Sequence, residues 1–561
     1  MRRARPLAAL VAMLAALALA GCGGIPMSGP VVSGPRVDET EPEFVVAPNG
    51  PVVGASPRDI VAGFMNAVRA PQADFQVARL YLTADRNESW RPDDGVIIRA
   101  AAPVVTEPVV SGDVAAVSYS FPTRANVDAA GRYHESAETG TRTIDFELRR
   151  EGGEWRISAV PDGIVLSQGA FTRAFTAVPL YYFDPSGRYL VPDVRWFAAR
   201  SNAPYRTVAA LLGGPDEWLR RSVVNEFPPG TTIGPGSVEI VSGRATVDLS
   251  AHAAAASPAS IARMREQLAA TLAAHGVIDV ELTSMGVPLE SGGGGQPVLV
   301  DPQPDGAVLV GADGEFGYGT ADGVVPIPGI TEALVADGAT AVSLAHDKAS
   351  AAYRAGDGTV RFVAAGAGAP IVIDDRPDLA APSLDTLGFV WSAQRGPGGS
   401  IAVFDREGGS IGLVVEGIPV GAEIASIAVS RDGTRLLVAV RSGLGSRLLV
   451  FGIVRAENVP TGLGPPLELP LPAGLITRAE WVDDRSVVAS VEDAEASHIR
   501  HIPLGGPSTD FDALPPGAQA VGGKGGAAGI RALVDGEILA AGVNGGWTAT
   551  GLAAAFLGIQ Q

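Results

Sequence analysis

From about Pro297 to its end the chain is a succession of short β-rich segments broken by Gly, Asp and Pro turns, with no helical periodicity over roughly 250 residues. That pattern dictates an all-β architecture. The segments resemble one another: Ile427-Ala428-Val429-Ser430-Arg431-Asp432-Gly433 leads into Leu436-Leu437-Val438-Ala439-Val440, and Ala479-Glu480-Trp481-Val482-Asp483-Asp484 leads into Val487-Val488-Ala489-Ser490. Asp347, Asp385, Asp432, Asp484 and Asp535 mark turns 38, 47, 52 and 51 residues apart, near the roughly 40 to 50 residues of a four-stranded propeller blade. The spacing predicts a β-propeller of five to seven blades over 291–561. Closure requires the strand Trp547 to Leu557 to join the first blade, near Val298 to Val300.

The opposite end carries a different kind of constraint. Arg2, Arg3 and Arg5 precede an apolar run from Pro6 to Ala20 that ends in Leu19-Ala20-Gly21-Cys22. The run is too short to span a bilayer as a mature helix and has the layout of a secretory signal. The small residues before the thiol form a lipobox, so 1–21 reads as a lipoprotein signal peptide and Cys22 as the lipidated first residue of the mature chain. Cys22 is the only cysteine among 561 residues and has no internal disulfide partner. Attached acyl chains hold a protein on a membrane by roughly 0.8 kcal/mol per buried methylene. The expected location is the extracytoplasmic face of the cell membrane.

A net charge of −19 excludes nucleic acid and anionic lipid as broad partners, since either needs a basic footprint. Of 42 basic residues only Lys348 and Lys524 are lysines, a bias of GC-rich bacterial genomes. The length exceeds what one core can serve, so two to four domains are expected. Residues 22–54, with Pro26, Pro30, Pro35, Pro42, Pro48 and Pro51, read as a lipidated flexible tether.

Residues 55–167 read as an α+β domain. Ser56-Pro57 starts a helix to about residue 69 with Ile60, Phe64 and Val68 on one face, and a second helical stretch carries Phe75, Ala78, Arg79 and Leu82. Strands follow at Val96–Ile98, Val114–Phe121, Thr141–Arg150 and Glu154–Val160, the last two joined by Gly152-Gly153. Helices followed by a curved antiparallel sheet resemble NTF2-like cones. Asp145 with Glu147, or Trp90 with Trp155, are the candidate pocket residues of such a cone; a solvated strand face and core aromatics are the simpler expectation.

Residues 168–290 carry the most specific local pattern. A hairpin joins Val178–Phe183 to Tyr189–Arg195 through Asp184-Pro185-Ser186-Gly187, and a helix over Pro204–Leu212 stops at Gly213-Gly214-Pro215. Strands near Ser237–Val241 and Arg244–Leu249 precede a helix from Pro258 to Ala274 that turns Ile261, Met264, Gln267, Leu268, Thr271 and Leu272 inward. Val277–Thr283 is expected to close the sheet. Leu180-Tyr181-Tyr182-Phe183, Leu211-Leu212-Gly213-Gly214-Pro215, Pro229-Gly230-Thr231, Ala245-Thr246-Val247-Asp248-Leu249 and Gln267-Leu268-Ala269-Ala270-Thr271-Leu272 resemble, in order, the GerMN domain of spore-germination and lipoprotein families. The resemblance implies an α/β binding or assembly module and carries no catalytic residue with it.

No catalytic constellation stands out. Asp374-Asp375 and Asp483-Asp484 suggest the paired carboxylates of a glycosidase, but sequence neighbours on a turn point apart, so solvated turn aspartates are expected. His134, His252, His275, His346, His498 and His501 are scattered, with His498 and His501 straddling an expected strand turn, and form no metal motif. No G-x-S-x-G elbow occurs, and Gly292–Gly295 lacks the lysine and the strand–loop–helix context of a phosphate loop. The expectation is a protein that is not an enzyme, with no catalytic residue, no metal and no cofactor.

In this order, lipobox, tether, α+β domain, GerMN-like module and propeller resemble the actinobacterial lipoprotein LpqB family over nearly the whole chain. The resemblance implies an accessory lipoprotein of an MtrA–MtrB type two-component system that engages the extracellular domain of the sensor histidine kinase. It further implies modulation of envelope signalling, cell division and cell-wall homeostasis. The alternative is an envelope protein that binds or cleaves a cell-wall glycan in the propeller channel, for which Trp391 and Trp481 would have to face that channel.

Overall fold

The structure, a computed structural model, describes residues 48–561 apart from 137–139, 235, 293–296, 307, 313 and 321. The signal segment 1–21, Cys22, most of the tether and the glycines at 293–295 lie outside the described residues.

Ser56 closes a capping box with Asp59 at the start of the helix Pro57–Ala67, satisfying backbone donors that a bare helix end leaves orphaned. That helix sinks Ile60, Val61 and Phe64 into a core shared with Trp90 and Phe146. The covering sheet runs in the order Glu154–Ala159, Thr141–Glu151, Val114–Asp128, Gly95–Arg99, Ile164–Ser167. Its centre is the 15-residue strand Val114–Asp128, whose first part pairs with Thr141–Glu151 and whose second part pairs with Gly95–Arg99. Alternate burial along it, Ala115, Val117, Tyr119 and Phe121 inward, is the period-two pattern of a half-covered sheet.

The next module pairs Phe175–Phe183 with Tyr189–Ala198 and packs the helices Ala203–Leu212 and Pro258–Leu272 against them. All six helix residues expected to turn inward, including the polar Gln267 and Thr271, are buried. Gln267 reaches Asn225 and the backbone of Glu226, while the Thr271 hydroxyl accepts from the Tyr181 amide. The expected single sheet is two. Asp279–Ser284 pairs in parallel with Arg244–Leu249, whereas the hairpin keeps a separate sheet with Leu299–Val300 at its edge.

The C-terminal part is a ring of six blades. Five follow sequence order, with innermost strands Ala341–Leu344, Ser383–Leu384, Glu423–Val429, Leu475–Trp481 and Gln519–Val521. The remaining blade combines Leu309–Ala312, Glu315–Thr320 and Gly323–Pro326 with the chain's last strand, Phe556–Gln560, which supplies its innermost edge. Phe556–Gln560 also pairs in parallel with Ala341–Leu344 of the next blade, so the ring closes on hydrogen bonds and not on side chains alone. This corrects the expected closure: Trp547–Ala553 is the outer strand of the sixth blade, and Leu299–Val300 belongs to the hairpin of the preceding module. Between the first two blades stands a short helix, Thr331–Ala336, a departure from the all-β expectation too brief for a helical period to register.

Asp347, Asp385, Asp432 and Asp484 each sit between the first and second strands of a blade, but Asp535 does not. It lies between second and third strands, at the opposite face of the ring. The spacing of the five aspartates therefore mixes two structural positions.

Candidate functional site

One aspartate of each pair, Asp374 and Asp484, is not the solvated turn residue expected of it. Asp374 is buried, ion-paired with Arg376 at 2.7 Å and accepting from the Ser392 hydroxyl at 2.7 Å. Burial pushes its carboxyl up, but the Arg376 and Ser392 hydrogen bonds outweigh this and hold it below the ordinary range. Asp375 is exposed, so the two point apart. Asp484 is also buried, and burial together with the nearby Asp301 carboxylate pushes it up to about 7. Asp145 and Glu147 are exposed on the outer sheet face, and Trp90 and Trp155 are core residues. His498 and His501 both lie within one strand, Ser497–Pro503, and straddle no turn. Among the described residues no group of three or more His, Cys, Asp or Glu is placed to hold a metal ion.

Trp391 and Trp481 are buried inside the blades, at 0% and 3% exposure. The Trp391 indole donates to Asp385 at 3.2 Å and the Trp481 indole to the carbonyl of Ala428 at 3.0 Å. Neither faces the channel, so the glycan alternative loses the feature that favoured it.

Two arrangements with functional potential remain. The first is the seam between modules. Val191, Trp218 and Leu219 enter one apolar cluster with Ala428, Leu437, Leu448 and Val450 of the propeller. Their approach is so close that a Cβ on Gly452 would meet the Ser222 hydroxyl at 2.2 Å and the Trp218 carbonyl oxygen at 2.8 Å. Asp301 accepts from the amide of Asp484 at 3.0 Å, and Glu135 of the first domain accepts from the amide of Ser508 at 3.0 Å. Gly452, Asp484 and Ser508 lie at the end of the blades where the innermost strands finish, so both preceding modules meet the ring on that face.

The second is the centre of the ring. On the module-bearing face it is closed by Arg431, whose guanidinium donates to the carbonyls of Gln560 at 3.1 Å and Val482 at 2.9 Å, and by the Gln561 amide, which bonds Ser343 and Ser383. On the other face a cavity of about 590 Å³ opens where the innermost strands begin. Arg354, Arg395, Arg478, Glu480 and Asp535 supply its charges. Glu480 is buried at its floor beside Arg478, and burial pushes its carboxyl up to about 7. Sequence reasoning missed this cup because its lining comes from all six blades and shares no local motif.

Residues 50–172 match the model described as the N-terminal domain of lipoprotein LpqB, residues 179–290 that of sporulation and spore germination, and residues 314–554 that of the lipoprotein LpqB beta-propeller domain. The chain belongs to the lipoprotein LpqB family. The family's "Lipoprotein LpqB" from Streptomyces avermitilis is 28% identical, across 93% of this chain and 92% of that one. The Streptomyces coelicolor relative is 28% identical across 90% and 89%. The Cutibacterium acnes relative is 35% identical, but the match spans 48% of this chain and 45% of the relative. Among solved structures, the tandem GerMN domains of the sporulation protein GerM from Bacillus subtilis share 24% identity over 22% of this chain and 45% of that one, with a TM-score of 0.18.

Proposed function

We propose that this protein is a non-enzymatic lipoprotein, anchored through Cys22 on the outer face of the cytoplasmic membrane, that binds the extracellular domain of a sensor histidine kinase of the MtrA–MtrB type. Through that contact it modulates envelope signalling, cell division and cell-wall homeostasis. The match to LpqB models on both sides of the GerMN-like module carries this reading. Physical features support it. A propeller offers a broad rigid face, the seam makes three modules one body, and confinement to the membrane raises effective concentration so that weak contacts suffice. The first domain, helices against a curved sheet, is read as NTF2-like and serves as the spacer next to the tether.

The test is a binding isotherm between the mature extracytoplasmic part, residues 55–561, and the kinase's extracellular domain. Saturable binding supports the reading; a folded protein that shows none at high concentration rejects it. The contributing module is best mapped by surface substitutions, because cutting the propeller away would strip the apolar cover from Val191, Trp218 and Leu219.

A further inference from the structure

In a chain of net charge −19 the long-range field repels anions, so any anion site has to be built locally from guanidinium groups. The cup at the propeller centre is built that way. Arg354 and Arg395 stand at the ends of the second strands of two successive blades, and Arg478 on the innermost strand of a third. Two of the three have carboxylate partners: Arg395 pairs with the exposed Asp378 at 2.9 Å and Arg478 with Glu480 at 3.2 Å. Among the described residues Arg354 has no carboxylate within ion-pair distance, and Asp378 acts on it only from farther away. Its Nε donates to the Thr340 hydroxyl at 2.9 Å and one Nη to the carbonyl of Leu379 at 3.0 Å. Half-buried, it is held below the ordinary arginine value by burial and then by the charges of Arg395 and Arg478. Three guanidinium groups turned into one cavity with two carboxylates, Glu480 and Asp535, and one of the three, Arg354, touching neither, is an arrangement that a bound anion relieves.

The rest of the cup narrows the ligand. Thr340, Ser426, Thr477 and Gln519 add hydroxyl and amide groups, and the aromatic ring in its lining, Phe556, is stacked on Phe316 with centroids 6.2 Å apart. The floor is shut by Arg431, Gln560 and Gln561, which admits a small molecule from one side and excludes a threaded polymer.

We propose that this blind cup binds a small anion carrying carboxylate or phosphate groups, gripped by Arg354 together with Arg395 and Arg478 and approached from the face opposite the other modules. Guanidinium forks match both oxyanions bidentately. The site is independent of the kinase reading.

The experiment is calorimetric titration of the full chain, solubilised in detergent, at constant ionic strength with citrate in one arm and pyrophosphate in the other; N-acetylglucosamine serves as the neutral control. Wild type, Arg354→Gln, Arg395→Gln and Arg447→Gln are compared, the last breaking an ion pair on the outer part of a blade. Saturable binding of either anion, weakened about tenfold or more by both cup substitutions and unchanged in Arg447→Gln, is the expected result, and the better-binding arm names the oxyanion. Arg395 bonds only the exposed Asp378, so Arg395→Gln decides alone if Arg354→Gln fails to fold. Absence of saturable binding in both arms, affinity undiminished in a folded cup variant, or preference for the neutral sugar overturns the proposal.

Discussion

The indole Nε1 of Trp196 donates to the carbonyl oxygen of Gly505 at 2.7 Å, across 309 residues of sequence. Trp196 lies on the second hairpin strand of the middle module, with its ring 4.6 Å from that of Phe171, and Gly505 lies in a propeller loop where a Cβ would press on Val194 at 3.2 Å. This one bond ties two modules that have no sequence continuity at the contact. Trp196→Phe keeps most of the ring packing and removes the donor. It should cost about 1 kcal/mol, read as a lower denaturant midpoint at unchanged slope.

Gly452 tests the apolar seam more severely. Gly452→Ala places a methyl where Ser222 and the Trp218 carbonyl already stand, and overpacking of this kind costs about 1–3 kcal/mol. Gly443→Ala, in a turn with open space around it, is the matched control. A calorimetric melt in which the two variants are equally stable would remove the close-packed seam.

Asp484 makes the seam sensitive to pH. Its carboxyl is raised from 3.8 to about 7 by burial and by Asp301. In the folded state it therefore holds a proton that the unfolded chain releases near pH 4. The stability it contributes is fully present below about pH 4 and is lost as pH rises through about 7. Asp484→Asn cannot ionise, so relative to wild type the variant should gain stability progressively between these values and level off above them. Parallel melting curves for the two proteins from pH 4 to 8 would refute the assignment.

Cys22→Ala removes the acyl acceptor and should leave an uncleaved or mislocalised precursor. Fractionation of cells expressing the variant checks this, and an unchanged amount of processed protein in the membrane fraction would rule out lipidation at Cys22.

Much of the fold was legible because it rests on local rules. The serine-proline start at Ser56-Pro57, the inward stripe Ile261, Met264, Leu268 and Leu272, and the strand–turn–strand units around Asp432 and Asp484 each follow from backbone preferences and side-chain period within a few residues. The misreadings share a cause. That Phe556–Gln560, and not Trp547–Ala553, closes the ring, that Leu299–Val300 serves the hairpin and that Asp374 and Asp484 are buried all depend on which segments meet after the chain has turned many times. Both strands of each mistaken pairing have the same β-rich composition, so composition gives no basis for choosing between them.

By itself the sequence determined the order of modules, the helices and most strands, since these are written in spacing and composition along the chain. Only the tertiary structure decided the six-blade closure, the seam through Trp196 and Gly452, and the convergence of Arg354, Arg395 and Arg478 on one cavity. Those features arise where residues 40 to 300 positions apart are brought within a few ångströms, and charge, burial and exclusion at such points depend on three-dimensional neighbours that no local pattern encodes.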